Sequence, residues 1–269
     1  MKTHKERNQK MRHLSIALCA MCLVSIVTAK AQETTENQLF STTGANVLGA
    51  GKIELSGTVD WTHFHSTYID LKTNSIGIDV GARFGVGSRA ELTVGIGGET
   101  SASRYKNDKY GFFSNGEVMA TVGARLLLYK GEKWKPTITF NTNITLPVMY
   151  PAMQKQWTYD VQPLIEMQFR NRVGERWSID YSIGYRWGAK LPYNNFSQNI
   201  RYTIYARCLL TEKLMLGFGV ENNGGKVDLR YQASPTLQLS AQGMLSAGFD
   251  QSQSELSSYT LIGAHWMLK

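Results

Sequence analysis

From Lys52 onward the chain alternates apolar and polar residues almost one for one. Between Lys52 and Trp61, the side chains Ile53, Leu55, Val59 and Trp61 interleave with Lys52, Glu54, Ser56, Thr58 and Asp60. Successive side chains of a β-strand point to opposite faces, so such a run has one apolar face and one polar face. The apolar set Ile76/Ile78/Val80/Ala82/Phe84 follows, then Leu92/Val94/Ile96 and Val118/Ala120/Val122/Ala124/Leu126. The same beat runs through Ile144, Ile165, Ile183, Ile204, Phe218, Leu229 and Leu239 to Ile262/Ala264/Trp266/Leu268. Twelve strands of about nine to thirteen residues emerge, the length a tilted strand needs to cross a bilayer.

The connections predict how these strands are arranged. Gly85–Arg89, Lys130–Trp134, Asn171–Glu175, Thr211–Lys213 and Ser234–Thr236 are short, whereas Gly98–Asn115, Pro147–Gln156 and Gly188–Ser197 are long. Short turns on one side and long loops on the other mark an outer-membrane barrel. Asn222–Gly225 is short where a long loop is expected. A soluble β-sandwich or barrel also alternates, but three features place lipid outside. The apolar sets contain no charge, aromatics gather near strand ends, and the exported chain has no disulfide. Phe84, Tyr129, Trp134, Phe169, Trp177 and Trp266 lie toward the short turns, and Trp61, Tyr150, Trp157, Trp187 and Tyr202 toward the loops. Headgroup interfaces attract such rings. The expected fold is all-β: a transmembrane, antiparallel, up-and-down barrel of about twelve strands. Pro163 is the discordant residue, expected mid-strand on the apolar face, where a ladder would lose a donor.

Charge changes the picture through its location. Among 269 residues the net charge is +8, which invites a nucleic-acid reading. Lys2, Lys5, Arg7, Lys10, Arg12 and Lys30 face a single acid, Glu6, within the first 31 residues, so the rest of the chain carries only +3. No nucleic-acid footprint remains. The basic stretch, the apolar run Leu14–Ala29 and Ala29-Lys30-Ala31 have the layout of a secretory signal peptide. Residues 1–31 are therefore expected to be removed after Ala31, followed by a short periplasmic lead (32–50) and the barrel (51–269). Cys19 and Cys22 fall in the leader, which leaves Cys208 alone and no intramolecular disulfide possible.

The chemistry lies on the polar face, which in this fold lines the lumen. Arg83, Glu91, Glu117, Arg125, Asp160, Glu166, Asp180, Arg186, Arg207, Glu221 and Arg230 are the lumen-lining candidates, accompanied by Glu54, Asp60, Asp79, Asp228, Lys52, Arg170 and Arg201. These charges fit a water-filled conduit that selects solutes, and equally an ion-pair network that fills a closed barrel. His63 and His65 share a strand face with Asp60 nearby in sequence, but they have the parity of lipid-facing Trp61 and no further ligand near, so no metal is expected. A lipid hydrolase would need a serine and a histidine on one face, whereas Ser66 has the opposite parity to both histidines. Gly95-Ile96-Gly97 sits within a strand and reads as a packing site, with no phosphate loop.

The stretch Arg83-Phe84-Gly85-Val86-Gly87-Ser88-Arg89-Ala90-Glu91-Leu92 resembles a hairpin of outer-membrane transporter-like proteins of the MetA pathway of phenol degradation. Leu210-Thr211-Glu212-Lys213-Leu214 leading to Glu221, and Ala233-Ser234-Pro235-Thr236-Leu237-Gln238-Leu239-Ser240, are similar to that family's closing strands. Ser240 stands where the family usually has an acid, and the chain ends Trp266-Met267-Leu268-Lys269 where the family favours an aromatic residue. The resemblance implies an outer-membrane barrel that takes up small, often hydrophobic, compounds. The expected function is passive transport of a small-molecule solute, without enzyme activity or cofactor. Outer-membrane lipid and the barrel-assembly machinery are the other expected partners. A structural or adhesive barrel acting through its loops is the alternative, and a lipid-modifying hydrolase the third.

Overall fold

The computed structural model describes residues 45–66, 71–105, 112–131, 135–149, 161–187, 200–222, 224–250 and 253–268. Among them twelve strands run in chain order: β1 (Ile53–Ser66), β2 (Leu71–Gly85), β3 (Ala90–Tyr105), β4 (Phe112–Tyr129), β5 (Thr137–Met149) and β6 (Gln162–Val173). Then come β7 (Trp177–Arg186), β8 (Ile200–Thr211), β9 (Leu214–Glu221), β10 (Gly224–Gln232), β11 (Leu237–Asp250) and β12 (Gln253–Leu268). Each pairs antiparallel with its chain neighbour, and β12 returns to β1 to close the barrel. Closure leaves no strand edge unpaired, the condition for a sheet to stand in lipid.

The apolar parity faces outward. Ile262 is 66% exposed, and Val122, Trp61, Ile78, Val94, Ile183 and Phe218 stand out from the wall with it. Inside, the buried residues are mostly polar or charged, among them Glu54, Glu91, Arg170, Asp180, Arg207 and Asp228. A water-soluble barrel would place the two sets the other way round, because burying apolar surface is what stabilises it. Phe84, Tyr129, Trp177 and Trp266 are exposed on the outer face toward the short turns, and Trp61 and Trp187 toward the loops. Phe169 stacks on Tyr181 at 4.9 Å. Trp134, Tyr150 and Trp157 lie outside the described residues.

The structure corrects several boundaries. The long loop expected over Gly98–Asn115 is mostly strand, since β3 runs to Tyr105 and β4 starts at Phe112. Gly98-Glu99-Thr100-Ser101-Ala102 has no apolar face to reveal it, as expected where a hairpin rises above the hydrocarbon and meets water on both sides. The described part of β6 begins at Gln162, which puts Pro163 one residue from the strand's start and not at its middle. Pro163 accepts the N–H of Trp187 at 2.9 Å. Residues that face each other in this way normally exchange two bonds, so the missing proline donor removes one rung beside the loops. The short Asn222 turn has its own anchor. Asn222 adopts a left-handed φ of 49°, and its Oδ1 accepts the Tyr202 N–H of β8 at 3.1 Å.

Residues 45–50 do not hang free below the barrel. Ala45 is 0% exposed and Leu48 4%. The Thr139 hydroxyl of β5 donates to the Ala45 carbonyl, and Glu91 of β3 accepts the Leu48 N–H at 2.7 Å. The segment therefore crosses the short-turn mouth from β5 to β3. It then joins β1 beside Gly85, whose N–H donates to the Lys52 carbonyl at 2.9 Å. Gly85 has no side chain for a steric reason, since a Cβ there would overlap the Gly49 carbonyl.

Candidate functional site

The lumen is built by parity: each strand contributes every second side chain to it, and pairing sets neighbouring strands level. At the short-turn end Glu91 is 0% exposed. It accepts Arg83 Nη2 at 2.9 Å and Nε at 3.0 Å, and Arg125 Nη1 at 3.0 Å. Arg83 also reaches Glu54 at 2.9 Å, and Glu54 takes His265 Nδ1 at 3.2 Å. Arg125 extends the chain of contacts to Gln168 Oε1 at 2.7 Å. One network thus links β1, β2, β3, β4, β6 and β12 beneath the lead segment.

A second network fills the other half of the same end. Asp180 receives Arg170 Nε at 2.6 Å and pairs with Arg207. Asp228 receives Arg230 Nε at 3.1 Å and lies 3.5 Å from Arg207 Nε. Arg230 donates on to Gln238 at 3.2 Å. Charges this deep in the wall are tolerated only when paired and hydrogen-bonded, because removing one partner strands the other.

Higher in the lumen the packing loosens. Glu221 pairs with Arg201 at 2.6 Å and with Lys226 at 3.1 Å. Glu166 is held by neutral donors: Gln168 at 2.6 Å, Ser182 at 2.7 Å and Asn141 at 3.2 Å. Between these groups lies a chamber of about 220 Å³. Arg186 ends β7 near Arg201, Glu166 and Glu221, with no direct ion pair among the described residues. On the opposite wall Asp60, Asp79 and Glu99 lie close enough to interact. Asp60 and Asp79 lean over Gly77 and Gly97, where a side chain would collide with their carboxylates. Glu117 stands across the ladder from Glu99.

Of the sequence candidates, the structure brings Arg83, Glu91 and Arg125 into one cluster and Asp180, Arg207 and Arg230 into another. Glu166, Glu221 and Arg186 surround the middle, and Glu117 lies toward the loops. Asp160 lies outside the described residues. Lys226, Glu99, Gln168, Gln238 and His265 are part of the lumen but are missing from that selection. Parity alone would have found Lys226, next to lipid-facing Val227. Glu99 was lost with the loop assigned to its segment. No group of metal ligands occurs among the described residues. His63 Nδ1 lies 2.9 Å from Asn74 Oδ1 on the outer face, whereas Ser66 is buried.

No protein-family model matches the chain, and no curated protein sequence matches it. Its fold is that of a solved outer-membrane channel. The COG4313 outer membrane channel from Pseudomonas putida F1 superposes with a TM-score of 0.59 at 11% identity, over 88% of this chain and 100% of that one. The KdgM porin in complex with disordered oligogalacturonate gives a TM-score of 0.46 at 10% identity, over 78% and 98%. The Pseudomonas putida toluene transporter TodX gives 0.45 at 7% identity, over 89% and 95%.

Proposed function

We propose that the chain is an outer-membrane channel through which small molecules pass passively. The observation that carries this reading is the inverted wall, with apolar residues outside and paired charges inside around a chamber of about 220 Å³. A barrel sealed by its ion pairs throughout would leave no such chamber among them. A conduit does need one, because a polar solute must exchange its water for wall groups. Export follows the leader: cleavage after Ala31, a mature chain from Gln32, insertion by the barrel-assembly machinery and a shell of outer-membrane lipid. The Arg83–Leu92, Leu210–Leu214 and Ala233–Ser240 segments support kinship with the transporter-like proteins of the MetA pathway of phenol degradation. On this reading the protein is no enzyme and holds no cofactor. The lumen-lining residues divide into those that pack the periplasmic mouth (Arg83, Glu91, Arg125, Asp180, Arg207, Arg230) and those beside the path (Glu166, Arg186, Glu221, Glu117).

Planar-bilayer recording of the purified mature protein tests the proposal, with discrete conductance steps expected. Absence of both conductance and solute uptake would leave the structural or adhesive reading in front. One observation favours the third class. Ser258, His63 and Asn74 stand level on β12, β1 and β2, all on the outer face. A serine, an imidazole and an amide in one line are the elements of a nucleophilic site. Release of fatty acid from phospholipid vesicles, lost in His63→Ala, would establish that reading instead.

A further inference from the structure

The chamber on the β6–β11 side of the lumen contains a group that the protein leaves unused. Tyr205 is 5% exposed, and its hydroxyl has no hydrogen-bond partner among the described residues. Its ring lies under the Arg207 guanidinium at 4.8 Å and the Lys226 ammonium at 5.7 Å. Buried hydroxyls normally find partners, and one without any marks a place where water or a solute completes the set.

The surrounding groups define what the solute is. Glu221, Asp228 and Asp180 are each answered by cations of the wall, and Glu166 by three neutral donors. A charged guest lodged against Glu221, Asp228 or Asp180 would compete with these pairs, whereas an uncharged one disturbs none. Among the described residues that line the chamber, Tyr205 is the one aromatic side chain of lumen parity, since Phe169 and Tyr181 belong to the outer face. With two cations over its ring and hydroxyl, amide and carboxylate groups around it, the chamber suits a hydroxylated guest better than a wholly aromatic one. Hydroxyl groups both donate and accept, so they can take the place of water against such a lining. The volume is below the ~300–1,000 Å³ of sites for drug-sized ligands, which matches a molecule built on a single ring.

We propose that this chamber is a resting site for one small, uncharged, polyhydroxylated solute of monosaccharide size, held in part by the Tyr205 hydroxyl. The proposal rests on the channel reading and narrows its solute class. The test is planar-bilayer recording of the mature protein with glucose as probe, phenol as comparison, and a polyethylene glycol too large to enter as viscosity control. Glucose should reduce the current in a saturating manner, beyond the polymer's effect. Tyr205→Phe should raise the half-blocking concentration about 3- to 10-fold, the worth of one hydrogen bond. A current that follows viscosity alone, saturation by phenol and not by glucose, or an unchanged half-blocking concentration in Tyr205→Phe would each overturn the resting site while leaving the channel standing. Absence of conductance would overturn the channel reading. Calorimetric titration of the detergent-solubilised protein with glucose would then decide the chamber separately: weaker binding in Tyr205→Phe supports it, and no binding by the unmodified protein overturns it.

Discussion

Glu91 accepts the backbone N–H of Leu48 at 2.7 Å with a carboxylate that also holds Arg83 and Arg125. The strap across the short-turn mouth is therefore fastened to the same group that neutralises two guanidinium ions. Its position and the stability of that end of the barrel depend on one side chain.

Replacing Glu91 with Ala should cost about 3–5 kcal/mol, because it leaves two buried cations without their carboxylate. Glu91→Gln, which keeps an acceptor for Leu48, should cost less. Urea unfolding of the protein in lipid vesicles measures both. Equal, small losses would mean that water reaches this cluster freely.

Gly85→Ala should act on the strap more than on the wall. The new methyl meets the Gly49 carbonyl, so residues 45–50 must leave their seat while β2 keeps its ladder. Faster protease cleavage within 45–50, with an unchanged heat-induced gel shift, is the expected outcome. Protection equal to that of the unmodified protein would show that the strap accommodates the methyl in place.

The wall has a hydrophobic outside that a single charge can test. Arg at Val122, outward and 56% exposed, should cost about 2–4 kcal/mol at the bilayer midplane. The neighbouring Thr121 faces inward and hydrogen-bonds Thr145 at 3.1 Å, and Arg there should cost much less. Vesicle unfolding of both variants gives the comparison, and equal penalties would contradict the assigned faces.

Ion selectivity should respond at the loop end and not in the packed mouth. Asp79 is exposed and makes no hydrogen bond or ion pair among the described residues. Asp79→Asn should lower the preference for cations and leave stability within about 0.5 kcal/mol, as for most surface changes. Arg125→Glu is a different perturbation: it sets a second carboxylate against buried Glu91 and should destabilise the barrel before it alters selectivity. Reversal potentials under a salt gradient, read with unfolding curves, separate the two.

The sequence makes the wall legible and the interior only in part. Alternation as regular as Ile76 to Phe84 shows a face wherever lipid lies on one side, so twelve strands and their parity follow from it. Where the β3–β4 hairpin rises into water the contrast vanishes, and Glu99 goes with it. Parity also says that Asp180, Arg207 and Asp228 point inward, but they come from β7, β8 and β10. Which cation answers which acid depends on reach across the lumen. The burial of Ala45 and Leu48 leaves no periodic trace, because a six-residue strap outside any strand or helix carries the rhythm of neither.

Ile53 pairs with Leu268, and the ladder runs from there to Ser66 opposite Glu255. The first strand thus waits for the last. Every other rung can form between neighbours as the chain emerges, but the seam requires β12 to be synthesised and delivered to β1. Looping so distant a partner back adds little entropy, since that cost grows only logarithmically with separation, so the obstacle is one of timing. Until the seam is sewn, both strands expose bare amides that hydrocarbon cannot satisfy, and loss of β12 would leave an unfinished sheet with two such edges, not a smaller barrel.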